Sequence, residues 1–442
     1  MKTSYLPYEP DQQMLLPQAL QEWLPEGHLA YYINDTVDSL DLSAFHARYA
    51  NGGSRNQPFH PSMMVKVLIY GYATGVFSSR KMARKLVEDV AFRVLAAGNF
   101  PAHRTICDFR ALHLKELSDL FVQVVRLAQA CGLAKLGTIA VDGTKIKANA
   151  SRHKAMSYER MQKAERELKE QIAALLAKAK AADQAEKNEP ELDLPAELTR
   201  RQDRLAVISA ARKRLEERQR QADLERGRSA DDNDVPPSGE GKAKKGPKYK
   251  YKFGEPKPRA QENFTDPQSR IMKRAGGGFD YCYNAQAAVD DTAHIIVAAE
   301  LTNSGADSRQ LPGVLEAVKQ NTGIDPQQVV ADAGYRSEAV FNVLQAHPAE
   351  LIVALGREGR QEVKIDAKKR PLTAAMAEKF KSSVTQQAYR RRKWLSEPPN
   401  GWVKSVLGFR QFSMRGLAKV QAEWKLVCAA LNLRRMATMM PA

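Results

Sequence analysis

The chain is poor in cysteine. Four among 442 residues (Cys107, Cys131, Cys282 and Cys428) are scattered, with neither C-x-x-C spacing nor a disulfide rhythm. That excludes a cysteine-built zinc site and a disulfide framework, and leaves reduced, packed thiols as the expectation. No apolar run is long enough to span a bilayer, which excludes a membrane partner. The opening residues, Met1 to Pro10, lack the apolar block of a signal peptide, so a cytosolic location is expected. The glycine triplet 276–278 has no downstream helix of the kind a dinucleotide fingerprint needs, and is read as a flexible joint. Acidic residues are also in deficit, 51 against 68 Lys and Arg, for a net charge of +17. Such a balance favours a polyanionic partner, with a merely basic surface as the plain alternative. The hydrophobic content of 43% supports real cores, and the length allows two or three domains.

Three acidic residues far apart in sequence organise the rest. Asp142 closes the β-branched run Thr138-Ile-Ala-Val and precedes Gly143; Asp332 closes Gln328-Val-Val-Ala and precedes Ala333-Gly334. An acid ending such a run before a turn residue marks the C-terminal lip of a strand. On neighbouring parallel strands the two carboxylates would come close, and their repulsion is costly unless a divalent cation lies between them. Glu397, in Lys393-Trp-Leu-Ser-Glu-Pro398, would complete an all-oxygen shell suited to Mg²⁺ or Mn²⁺. The chemistry this predicts is metal-dependent phosphoryl transfer on DNA.

Residues 1 to about 135 read as helical. Helical spacing begins in 17–25, and Pro61 to Tyr72 is apolar on nearly every side, as a buried central helix would be. Ser78 and Ser79 cap a helix that turns Met82, Leu86 and Val87 inward and leaves Arg80, Lys81, Arg84 and Lys85 open. A second start at Thr105 opens a helix with Arg110 and His113 outward. The arrangement resembles a helix-turn-helix DNA reader, with an ordinary bundle as the alternative. Past Asp142, Lys145 and Lys147 alternate around Ile146, close enough to the carboxylate to hold a phosphate.

An excursion follows. Met161, Ala164, Leu168, Ile172, Leu175 and Ala179, then Leu198, Leu205, Ile208, Leu215 and Ala222, form two narrow apolar seams. They predict an antiparallel helical hairpin, or alternatively an intermolecular coiled coil. Ser229 to about Gln261 is polar, charged and proline-bearing, and reads as disordered. Its end, Lys248-Tyr-Lys-Tyr-Lys-Phe253, alternates cations (Lys248, Lys250, Lys252) with rings that could stack on bases, or forms a lysine-protected edge strand. Strands are expected at 281–289 and 294–300, a helix from Asp307 to about Gln320, the strand ending in Asp332, a helix at 337–347, a strand at 351–355, and helices from about Ala374. The order matches a ribonuclease H-like α/β fold: a mixed five-stranded sheet with flanking helices, in which the first and fourth strands lie side by side and parallel. The predicted domains are a helical N-terminal DNA-binding domain (1–135), a catalytic domain (136–152 plus 276–436), and an inserted hairpin with a basic disordered linker (153–275).

At these residues the chain resembles the DDE transposases of bacterial insertion sequences, almost end to end. The resemblance is carried by Leu68 to Arg80, Thr105 to Arg110, Val141 to Ser151, Thr265 to Lys273, Tyr283 to Asp290, Ala331 to Tyr335, and Tyr389 to Glu397 continuing to Lys404 and Gly408 to Phe412. Two departures stand out. The family's Tyr, Arg, Glu, Lys series fits Glu397 and Lys404, but Lys393 stands where Arg is expected and Arg390 where Tyr is. Pro398 and Pro399 directly follow the Glu, so Ser396 is expected to cap a new helix, with Glu397 at its N-terminus.

The resemblance implies an enzyme that nicks element ends and joins the freed 3′-hydroxyls to target DNA, working as a homodimer or higher synaptic oligomer on double-stranded DNA. It implies Asp142, Asp332 and Glu397 as ligands of two divalent ions about 4 Å apart. Lys145 and Lys404 would neutralise phosphate oxygens, and Tyr335 and Arg336 would contact DNA near the cleaved bond. Trp394 and Trp402 flank the Glu, either in the core or stacking on a flipped base. The stripe Leu417, Val420, Trp424, Val427, Cys428 and Leu431 would close the catalytic domain. Competing expectations are a DNA-binding regulator without activity and a stand-alone ribonuclease H-like nuclease.

Overall fold

The structure, a computed structural model, describes residues 19, 22–49, 57–185, 194–230, 250–274, 276–356 and 365–440. Residues 17, 18, 20 and 21 of the segment 17–25, the linker stretch that includes Lys248, and the side chain of Ala179 lie outside the described residues. The first part of the chain is helical: α1 (Leu29–Ser39), α2 (Ser43–Ala47), α3 (Pro61–Ala73), α4 (Ser79–Glu88), α5 (Val90–Leu95), α6 (His103–Leu112) and α7 (Leu114–Ala130). Helix α3 is buried almost all round, as its uniform apolarity requires, and Pro61 starts it where a missing N–H is harmless.

Helices α4 and α6 pack together, with α5 between them in sequence. Met82 and Leu86 face the core, but Val87 is exposed. Arg80 and Arg84 are exposed, and Arg84 pairs with Glu88 one turn on at 3.5 Å. Arg110 and His113, expected to face outward, are instead buried. Arg110 donates from Nη1 to the Tyr72 hydroxyl (2.9 Å), the Phe77 carbonyl (3.1 Å) and the Ser413 hydroxyl (3.2 Å). His113 lies against Phe45 and Phe109 and bonds the Tyr49 hydroxyl at 3.0 Å. Periodicity reveals which residues share a helix face, not which face a distant segment will cover.

The rest runs β1 (Thr138–Lys147), β2 (Ala155–Ser157), α8 (Tyr158–Ala185), α9 (Leu194–Leu224), β3 (Gln261–Asn263), β4 (Arg270–Lys273), β5 (Phe279–Asp290), β6 (Ile296–Thr302), α10 (Leu311–Thr322), β7 (Gln328–Ala331), α11 (Glu338–Val343), β8 (Glu350–Val353), α12 (Pro371–Lys379), α13 (Ser383–Gly401) and α14 (Leu417–Met439). The main sheet is mixed, in the order β6-β5-β1-β7-β8. Strands β1, β5 and β6 are antiparallel neighbours, while β1, β7 and β8 are parallel. The sheet has six strands rather than five: β4, within the bounds expected for the insertion, shares the edge of β5 beyond the end of β6. Ile139, Ala140 and Val141 are buried on both faces, as a strand flanked on each side demands.

Helices α8 and α9 lie antiparallel, since Tyr158 bonds Glu216 (2.8 Å) and Glu165 pairs with Arg212 (3.3 Å). Met161, Leu168, Ile208 and Leu215 from the expected seams fill their small core. Strands β2 and β3 pair at its base. The stretch at Lys250 and Lys252 is bend and turn, not an edge strand, with both lysines exposed.

One apolar core joins the N-terminal helices to the sheet, and α14 lies at its centre against α3, α7 and β6. Its expected stripe is buried, save for a partly exposed Leu417, and its neighbours on the other faces are buried too. A charged network crosses the same core. Glu423 on α14 accepts from the Tyr72 hydroxyl (3.0 Å) and from the backbone N–H groups of Ser413 (2.9 Å) and Met414 (3.1 Å). Tyr72 and Ser413 in turn hold Arg110. Breaking a buried pair strands the remaining charge, so Glu423→Ala is expected to lower unfolding free energy by about 3–5 kcal/mol. Adding Arg110→Ala to it should cost much less than the sum of the two single changes, as a denaturant double-mutant cycle would measure.

Candidate active site

Strand β1 pairs with β5 along its whole length but with β7 only as far as Val141, opposite Ala331. The next residue on each strand is the expected acid, so Asp142 and Asp332 stand side by side where the parallel pairing ends. Gly143 does not bend the chain; β1 continues through it to Lys147. Its lack of a side chain serves close approach instead, because a Cβ there would meet Asp307 Oδ1 at 2.5 Å and Asn284 Oδ1 at 3.1 Å. Gly334 has a similar reason. A Cβ there would lie 2.9 Å from Asp332 Oδ1 and 3.5 Å from Asp307 Oδ2, so both carboxylates border one small space.

Strand alternation puts Asp142, Thr144 and Ile146 on one sheet face, and Gly143, Lys145 and Lys147 on the other. Helix α13 and the π-helical turn Trp402–Val406 serve the first face. Asn400 donates from Nδ2 to Asp142 Oδ2 at 3.1 Å, and Lys404 donates to the Thr144 hydroxyl. Lys404 is therefore the lysine beside the first acid. Lys145, expected there, instead lies across the strand with both Asp307 oxygens at 3.2 Å. Asp307 also accepts from Asn284 Nδ2 (2.6 Å) and Gln286 Nε2 (2.8 Å).

Electrostatics tie these acids together. Burial pushes the Asp142 carboxyl up to about 6; Arg392 opposes that shift, Asp332 adds to it, the Gly143 N–H opposes it, and Asp307 adds to it. Burial works against the Arg392 cation, but Tyr389, Asp142 and Asp332 outweigh it and hold the guanidinium above its ordinary range. Burial lowers Lys404, against the pull of Asp142. Two adjacent carboxylates under mutual repulsion fit an oxygen-preferring divalent cation. Among the described residues, however, no three His, Cys, Asp or Glu side chains stand close enough to enclose a metal ion.

Glu397 is exposed. It lies within α13 rather than at a helix N-terminus, and Pro398 and Pro399 follow inside the same helix. A proline removes the N–H that would reach four residues back, which for Pro398 leaves the Trp394 carbonyl unserved. His294 Nε2 meets that carbonyl at 3.0 Å, from a backbone φ of +55°. Ser396, expected as a cap, is buried and donates to the Arg392 carbonyl at 3.0 Å.

Other expected contacts divide. Tyr335 is fully buried with its hydroxyl on Gln286, so it supports the site from behind and cannot touch DNA. Arg336 donates to the Leu355 carbonyl. Lys393 is exposed; Trp394 is also exposed, edge-on to His294, so it is not a core residue. Trp402 is half-buried beneath the Arg435 guanidinium, 4.6 Å above its ring.

Three residues escaped the sequence reading. Asp307 stands where the sequence predicts a helix start, a place at which a capping Asp and a site-lining Asp look alike, and the helix itself begins at Leu311. Arg392 and Asn400 were readable as one face of α13 with Tyr389 and Ser396, had Ser396 been kept inside the helix.

Two family models match the chain: "Transposase DDE domain" over residues 248–433 and "Transposase domain (DUF772)" over residues 18–112. Searches of curated proteins and of solved structures gave no match. The chain is a DDE transposase of the insertion-sequence type. Asp142 falls between the two matched segments, so its place in the site rests on the register of β1. DDE transposases use divalent metal ions and act on DNA. No helix among the described residues is long and apolar enough to cross a membrane.

The raised Asp142 carboxyl has a consequence for stability. The folded chain holds that proton up to about pH 6, whereas an unfolded Asp releases it near 3.8. Stability of the metal-free protein therefore falls by about 3 kcal/mol as pH rises through that window. Asp142→Asn removes the penalty, so its melting temperature should exceed the wild type's at about pH 8, and the difference should close toward about pH 4.

Proposed function

We propose that this transposase cleaves DNA at the ends of its insertion element and transfers the freed 3′-hydroxyls into target DNA. The catalytic domain would be ribonuclease H-like, formed by residues 136–152 and 276–436, with 1–135 as the DNA-gripping domain and 153–275 as an insertion. The observation that carries this reading is the adjacency of Asp142 and Asp332 where the β1–β7 pairing stops. Those two residues would hold the cations, Mg²⁺ or Mn²⁺ with two expected, and Glu397, on the same helix as Arg392 and Asn400, is the proposed third ligand. Bound cations supply Lewis-acid activation of the attacking water or 3′-hydroxyl and of the leaving 3′ oxygen.

The chain's own side chains do the positioning. Lys404, on the face of Asp142, neutralises a non-bridging phosphate oxygen. Arg392 offsets the two carboxylates before substrate arrives. Asn400 orients the Asp142 carboxylate through its Oδ2. Tyr335 fixes Gln286, and with it the Asp307–Lys145 pair behind Gly143. Arg80, Arg84, Lys147, Lys250, Lys252 and Lys393, all wholly or partly exposed, are the proposed backbone contacts, and the working form on paired element ends is a dimer or larger assembly.

The exposure of Glu397 favours one other reading, a transposase-derived DNA-binding protein without activity. Duplexes bearing the inverted repeats that flank the gene, incubated with Mg²⁺, separate the two. Wild-type protein should nick at the repeat ends and then join them to a second duplex; nicking without joining would indicate a plain nuclease. Asp142→Ala and Asp332→Ala should each lower nicking by more than about 100-fold, beyond what loss of a supporting group behind a metal ligand costs. Glu397→Gln should do likewise; an unaltered rate would remove Glu397 from the site.

A further inference from the structure

The polar row on the Lys145 face of β1 does not stop at Asp307. Two residues on, Lys147 lies opposite Cys282 of β5, and Asp280 follows on the same face of β5. The Asp280 side chain is only 1% exposed, yet three cations converge on it. Arg274 Nε lies 2.7 Å from Oδ2, Lys147 Nζ 3.8 Å from Oδ2, and Arg152 pairs with Oδ1. One carboxylate cannot neutralise three cations, so the cluster carries a net charge of about +2 in a fixed arrangement. Its cations are not sealed in: the side chains of Lys147, Arg152 and Arg274 are 37%, 62% and 40% exposed.

A comparable hub elsewhere shows what a purely structural version looks like. Glu262, also buried, takes Arg214 at 2.7 Å and Arg218 at 2.8 Å and ties α9 to β3. Two cations on one acid suffice for that purpose. The Asp280 cluster has a third, and it draws its cations from three segments: β1, the turn before β2, and the β4–β5 hairpin.

We propose that Lys147, Arg152 and Arg274, organised by Asp280, form a clamp for the phosphodiester backbone of DNA. The buried carboxylate holds the cations in place before binding, so little side-chain freedom is lost when phosphates arrive. Lys147 lies five residues beyond Asp142 on the same strand, roughly 17 Å along it. The two side chains point to opposite faces of the sheet, so the clamp would take backbone that passes beyond the rim rather than the reacting phosphate itself. The inference rests on the reading of this chain as a DNA-cleaving transposase and adds the surface that grips the flanking strand.

The test is the salt dependence of binding by the full chain to a linear duplex, without metal. Removing one phosphate-binding cation reduces the slope of log K against log salt by about 0.9, so R152Q/R274Q should reduce it by about 2. R152K/R274K, which keeps the charges, should retain the wild-type slope. An R152Q/R274Q protein that melts earlier but binds with an unchanged slope would reduce the cluster to a structural tie and overturn the clamp. Should that double variant fail to fold, R152Q alone, altering the most exposed of the three, should still reduce the slope by about 1. The enzymatic reading fails separately: wild type and variants would show these slopes, yet no Mg²⁺-dependent nicking of repeat-bearing duplex would occur.

Discussion

Like charges forced together at the end of a parallel strand pair are the constraint on which this molecule turns. The hydrogen-bond register of β1 with β7 delivers Asp142 and Asp332 to one rim, and no side-chain adjustment can separate them far. In a partly buried setting the repulsion is not screened away by water. The surroundings divide the task of offsetting it. The Gly143 N–H donates to Asp142 Oδ1 (2.9 Å), the Gly334 N–H to Asp332 Oδ1 (2.9 Å), and Arg392 contributes a full positive charge. Burial nevertheless lifts the Asp142 carboxyl above its ordinary range, and Asp332 and Asp307 add to that shift. A site strained in this way is poised to accept cations.

Helix α13 shows how the rest of the chain accommodates that rim. Two prolines in succession would normally end a helix, and here they do not. The Trp394 carbonyl that Pro398 deprives of a donor is served by His294 from the β5–β6 turn, whose ring is also wedged against Trp394. Beyond the prolines the winding loosens into a π turn, a form associated with functional sites. The looser turn brings Lys404 to Thr144 while Asn400 reaches Asp142, so one helix end serves two positions on the same strand face.

Much of this was legible in the residues. The β-branched runs ending in Asp142 and Asp332, the apolar block of α3, the seams of α8 and α9 and the stripe of α14 each carry a local pattern that packing does not reverse. What was hidden depends on partners distant in sequence. Arg110 stands one turn beyond Ile106 on the buried side of α6, where its charge type suggests exposure, and only the loop at Ser413 and the acid of α14 make a buried cation tolerable there. Tyr335 follows Asp332 by three residues, yet its ring turns inward because Gln286 waits there. Gly143 looked like a turn and is a clearance for Asp307, a residue more than 160 positions away. The short strand β4 carries no period of its own in four residues, and only the family resemblance of Thr265 to Lys273 pointed to the sheet there.

The continuous core around α14 has a mechanical implication. The helices proposed to grip DNA and the sheet that carries the acids share the same buried side chains, with Arg110 and Glu423 bridged through Tyr72 and Ser413. Among the described residues such a core offers no hinge between those helices and the sheet. Whatever deformation is needed to bring a gripped duplex to the rim must therefore be borne by the nucleic acid, whose flexible pyrimidine–purine steps yield most easily. Preference among DNA ends would then follow in part from how readily each can be bent, at base pairs no side chain touches.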